Sequence, residues 1–179
     1  MNSKLDKLKL ELSTTTMEIL WQELTFGFPD PHDLERIIIR LVAAAFLGAC
    51  IGAERQRAGK SAGVRTHMLV TVGTTVFLLA CSRFGMTLDG YSRVIQGIIT
   101  GIGFIGAGTI LKLEGEVEVK GLTTSAGIWM ASAIGVSVGL GALGLSVLAT
   151  SLALIILTVT VAVDNWINKG RITKKNSKK

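Results

Sequence analysis

Apolar residues in this chain fall into long blocks divided by short polar connectors. The run from Ile37 to Ala53 is nearly charge-free, and a second from Thr66 to Ser82 follows the arginine-rich connector within GAERQRAGKSAGVRTHMLV, Gly52 to Val70. Three more blocks lie at Val94 to Leu111, Leu122 to Leu140 and Leu143 to Val163. A helix needs roughly 17 to 25 mostly apolar residues to cross a bilayer. The pattern therefore predicts an all-α membrane protein, a compact bundle of about five transmembrane helices. The fourth and fifth blocks meet at Gly139, Gly141 and Gly144, where a tight hairpin is expected because one continuous helix would be too long for one crossing.

Small residues recur at four-residue steps inside these blocks: Ala44, Gly48 and Gly52 in the first, Gly97 and Gly101 in the third, and Gly127, Ala131, Gly135 and Gly139 in the fourth. Such stripes let helix backbones approach closely in lipid, where the hydrophobic effect gives helices no reason to associate. They are expected to be packing faces, chiefly within the chain, with a homo-oligomer as the other use. Leu154 on the fifth block is expected to face lipid.

Composition agrees, with 179 residues, 49% of them hydrophobic, 21 glycines and a net charge of +6. The first apolar block begins too far from the start to be the core of an ordinary cleaved signal. Residues 1–35 read as an external polar segment, with an amphipathic helix or a weakly ordered leader between Leu5 and Phe28 and a break at Phe26 to Asp33. Residues 36–165 form the membrane domain and residues 166–179 a basic tail. Basic residues collect on the cytoplasmic side. The first connector (Arg55, Arg57, Lys60, Arg65), the third (Lys112, Lys120) and the tail share one side, while seven acidic residues outnumber the lysines of the N-terminal segment. An external N terminus and a cytoplasmic C terminus follow. Cys50 and Cys81 lie at different depths if their helices are antiparallel, and they read as small packing residues.

Candidate chemistry concentrates at Glu54, Arg55, Arg65, Thr66 and His67. Ionisable groups at membrane depth are costly unless paired or hydrated, so their gathering at one level points to a polar site between the ends of the first two helices. Glu54 and Arg65 are expected to share a desolvated pair or network; the alternative is that Arg55 and Arg57 reach toward lipid phosphates while Glu54 pairs with one of them. GIGFIG, from Gly101 to Gly106, satisfies a dinucleotide-binding pattern, but it lies inside an apolar run with no preceding strand. Its glycines pack densely or else loosen the third helix. In LEGEVEVKG, Glu114, Glu116 and Glu118 alternate, which suits a solvated hairpin tip better than a cation site. A metal ligand set is not assignable, and neither a cofactor nor a nucleic-acid partner is expected.

GAERQRAGKSAGVRTHMLVTVG, SRVIQGIITGIGFIGAGTI and GLTTSAGIWMASAIGVSVGLG together resemble the MgtC/SapB family of bacterial membrane proteins, over approximately Arg36 to Val163. The resemblance implies a multi-pass hydrophobic domain in the bacterial inner membrane. It further implies a link to growth under magnesium limitation, to intracellular survival and stress adaptation, and in some members to inhibition of the proton-translocating ATP synthase. The chain looks like the short, SapB-like form without a soluble ACT-like domain. No Walker A motif is present, so a non-enzymatic regulator or interaction module is expected, with a magnesium or other ion transporter as the alternative.

Overall fold

The computed structural model describes residues 15–23, 31–110 and 120–176. Among them are six helices: α1 (residues 15–23), α2 (Pro31–Arg57), α3 (Val64–Arg83), α4 (Leu88–Ala107), α5 (Leu122–Gly139) and α6 (Leu143–Asn176). The chain divides into two units, Met1–Ile38 and Ile39–Lys179. In the first, α1 is exposed along its described length and takes in Thr15 and Thr16. The remainder of the expected amphipathic segment and the Glu114 to Glu118 connector lie outside the described residues. α2 opens on Pro31, whose fixed φ and missing N–H suit a first helical position.

The five membrane-length blocks each form a helix. His32–Arg57, Val64–Arg83 and Leu122–Gly139 are long and apolar enough to cross a membrane, and Leu143–Val159 is a shorter apolar stretch at the start of α6. Asp89, Arg93 and Gln96 make the first turns of α4 more polar. Leu143 follows Gly139 by four residues, which makes the expected hairpin. Gly141, at φ +86°, closes α5: its N–H donates to Val138 O at 2.9 Å and the Ala142 N–H to Ser137 O at 2.9 Å. This paired pattern is the Schellman termination, whose left-handed residue is best supplied by glycine.

The second unit is built around α3. Gly48 and Gly52 of α2 lie against Thr71, Met68 and Val64, while Gly127, Gly135 and Gly139 of α5 lie against His67, Thr71 and Thr75 to Leu78. Matching positions rise together along α3 and α5 and fall along α2, so α3 is parallel to α5 and antiparallel to α2, as successive membrane crossings require. Threonines tie the close backbones. The Thr71 hydroxyl donates to Ala44 O of α2 at 2.8 Å, and the Thr75 hydroxyl to Gly135 O of α5 at 2.8 Å. Apolar contacts complete the core: Leu47, Ile51, Ile134, Val138 and Ala153 join α2, α5 and α6, and Leu78, Ile98, Ile102 and Ile128 join α3, α4 and α5.

Polarity is arranged inside out. Arg55, His67, Thr71, Thr75, Ser132 and Ser146 are buried, whereas Phe46, Leu69, Phe104, Trp129, Leu148 and Ile155 are exposed. In water this would be a large apolar surface liability; in lipid the exposed side chains are solvated and the polar ones serve as contacts between helices. Leu154 is half-buried against the α2, α5 and α6 cluster, so it does not face lipid fully.

Candidate functional site: a buried arginine, histidine and glutamate at the α2–α3 end

The inner face of α2 runs Ala44, Gly48, Ile51, Arg55, a spacing of four, three and four residues that keeps one side of the helix inward. Arg55 therefore points into the bundle and is only 2% exposed. Its Nη1 lies 3.5 Å from Glu54 Oε2, on a carboxylate whose side chain is 14% exposed. Gly59, at φ +67°, stops α2 just beyond, with the Lys60 N–H donating to Arg55 O at 3.0 Å. The chain returns into α3 at Gly63, where Gln56 Oε1 accepts from the Val64 N–H at 3.4 Å.

His67 stands one turn into α3, fully buried. Its Nδ1 lies 2.9 Å from Gly63 O. A carbonyl only accepts, so Nδ1 carries the proton and Nε2 is left as the acceptor of the neutral ring. Nε2 faces α5 at Gly127, where an added Cβ would stand 3.2 Å away. The charges of Glu54 and Arg55 both act on this ring. Among the buried polar side-chain atoms described, Glu54 Oε2, Arg55 Nε, Arg55 Nη2 and His67 Nε2 have no hydrogen-bond partner.

Of the five polar residues singled out from the sequence, the structure brings Glu54, Arg55 and His67 together. Thr66 is half-buried beside them and Arg65 is exposed. Glu54 thus finds its ion pair in Arg55, not in Arg65, because Arg65 lies about 200° around α3 from His67 on the outward face. Arg57 is exposed as well. Of the glycines, Gly48, Gly52, Gly127, Gly135 and Gly139 make close helix contacts, while Gly97 and Gly101 have open space where a Cβ would stand. Those two line an apolar groove of about 510 Å³ together with Thr74, Phe77, Ile98 and Ile102. α4 is continuous through its glycines. Both cysteines are free.

Arg40 was not legible as a special position, since it sits alone in an apolar run. Its Nη1 donates to Gly139 O at 3.0 Å, and its guanidinium lies over Gly141. A cation there satisfies a carbonyl at the end of α5 and meets the negative end of that helix dipole. α2 thus carries one inward arginine near each end of the bundle.

The profile of the MgtC family matches residues 41–166. The chain belongs to the MgtC family. It is 41% identical to YhiD of Escherichia coli K12 over 130 residues, covering 68% of this chain and 59% of YhiD, a protein provisionally named a magnesium transporter. It is 39% identical over 131 residues to SrpB of Synechococcus elongatus, covering 66% of this chain and 71% of SrpB. Over 104 residues it is 47% identical to protein MgtC of Salmonella typhimurium LT2, covering 58% of this chain and 43% of MgtC. The chain thus spans less than two thirds of YhiD and of MgtC. No solved structure matches it. The MgtC region takes in α3, α4, α5 and the whole Glu54, Arg55 and His67 cluster.

Proposed function

We propose that this chain is a non-enzymatic regulator or interaction module of the bacterial inner membrane, acting under magnesium limitation through contacts of its helix bundle with another membrane protein. The observation that carries this reading is the commitment of the interior carboxylate. Within the described side chains of the helical unit the carboxylates are Glu54 and Asp89; Glu54 faces Arg55, and Asp89 is exposed with Arg93 Nη2 2.9 Å from its Oδ2. A divalent cation is held by several hard oxygen ligands, and Arg55 beside Glu54, the less exposed of those two carboxylates, opposes its charge. The groove along α4 is lined by apolar residues, glycines and Thr74, and no group of three histidine, cysteine or carboxylate side chains is gathered among the described residues.

The provisional name of YhiD as a magnesium transporter favours a second reading, in which the chain moves magnesium or another ion. Basic residues at the α2–α3 end support a cytoplasmic placement of that end and of the C terminus, with the N terminus external. A partner such as the ATP synthase rests on family resemblance alone. Growth in low magnesium, measured together with membrane abundance, tests the regulatory reading. Glu54→Gln and Arg55→Gln proteins that reach the membrane normally but fail to support growth fit it; variants that support full growth at normal abundance overturn the role of this cluster.

A further inference from the structure

The four partnerless atoms of the Glu54, Arg55 and His67 cluster do not form a random remainder. Arg55 Nε and Nη2 make one edge of the guanidinium plane, the side-on fork that bonds two acceptors, and Nη1 on the other edge faces Glu54. Glu54 Oε2 and His67 Nε2 are acceptors. The unmet inventory is therefore two donating groups and two accepting atoms, all buried. Leaving such groups dry is expensive, and buried polar atoms are ordinarily satisfied by protein or by ordered water.

We propose that this cluster is an internal water-binding site, in which water accepts from the free edge of Arg55 and donates to Glu54 Oε2 and His67 Nε2. Each water molecule both donates and accepts, so water supplies the two roles the cluster lacks on both sides of the guanidinium. Other small ligands fit worse. An oxyanion would take the Arg55 fork but would face the carboxylate of Glu54 and the lone pair of His67 Nε2 with further negative charge. A metal cation would meet His67 and Glu54 but stand beside the Arg55 charge. Water enters from the α2–α3 end, where Glu54 is partly exposed and Gln56, Lys60 and Ser61 are open to solvent. Gly127 keeps the space beside His67 Nε2 free: a methyl group there would stand 3.2 Å from that nitrogen. Regulation and transport are both compatible with water at this cluster.

Water-edited nitrogen NMR of the full chain in lipid bilayers tests it. Magnetisation from water should reach Arg55 Nε and the His67 ring as fast as it reaches exposed Arg57, and His67 Nε2 should show the signature of an unprotonated, hydrogen-bonded nitrogen. Transfer as slow as at the buried backbone of Ile134 would overturn the proposal. So would a saturable shift of Arg55 Nε on adding inorganic phosphate at constant ionic strength, which would make the ligand an oxyanion. In Gly127→Ala, loss of transfer at His67 with the remaining spectrum retained is expected, and undiminished transfer there would remove His67 from the site. Neither result bears on growth in low magnesium.

Discussion

Replacing Gly135 with alanine adds a single methyl group at the closest approach of α3 and α5. Its Cβ would overlap Thr71 O and Thr74 Oγ1 and stand 2.9 Å from Thr71 Cα. Two of those three atoms are backbone, so no rotamer change relieves the clash and α5 must draw back. Forcing extra bulk into a packed interface costs about 1–3 kcal/mol, and the retreat stretches the Thr75 hydroxyl bond to Gly135 O, 2.8 Å in length, for about 1 kcal/mol more. Alanine returns about 0.8–1 kcal/mol as the better helix former. The net expectation is a loss of about 1–3 kcal/mol. Gly101→Ala makes the same chemical change where nothing lies within 4 Å, so it should be neutral or stabilise by up to about 1 kcal/mol. Unfolding of both variants in detergent, followed by circular dichroism, compares them with propensity held constant. Equal stabilities would refute the account of α3 as a central helix packed closely between two glycine faces.

Arg55→Leu should destabilise strongly, by about 3–5 kcal/mol in the fully desolvated limit and less with water present, because it strands the Glu54 carboxylate. The double change Glu54→Gln with Arg55→Leu should be milder than the sum, as read by a double-mutant cycle of unfolding, whereas Arg57→Ala should stay within about 0.5 kcal/mol of the parent. Arg40→Ala removes the donor to Gly139 O and should cost about 1.5–3 kcal/mol, the worth of a charged-group hydrogen bond, with hydrogen exchange rising first at the α5–α6 turn. Lys60 and Asp89 are both exposed, beyond opposite ends of α3, a helix about 30 Å long. Single cysteines at these positions in a cysteine-free chain should react with an impermeant thiol reagent from opposite sides of the membrane, and labelling of both from one side would contradict the topology.

Periodicity carried most of the helical architecture. The five helices, the α5–α6 hairpin and the packing of Gly48, Gly52, Gly127, Gly135 and Gly139 follow from apolar length and four-residue spacing, both local properties of the chain. What spacing alone left open was which side of each helix the other elements cover. Gly97 and Gly101 repeat the same interval, yet α4 lies at the margin of the unit and that face stays open. Arg65 and Arg55 look equivalent as basic residues flanking a connector. The inward stripes separate them: Ala44, Gly48 and Ile51 along α2 lead to Arg55, whereas His67, Thr71 and Thr74 along α3 pass Arg65 by. Arg40 was hidden for a different reason: its partner is a backbone carbonyl nearly a hundred positions away, and no local pattern announces a main-chain acceptor.

Magnesium flux through the purified chain in liposomes, followed with an entrapped magnesium-sensitive dye, bears most directly on the central claim that the Glu54, Arg55 and His67 cluster serves regulation and not passage of an ion. The account predicts uptake down a concentration gradient no faster than in protein-free liposomes, in the parent and in Glu54→Gln alike. Uptake well above that background in the parent, abolished by Glu54→Gln in protein that reconstitutes normally, would contradict it and make the chain a transporter.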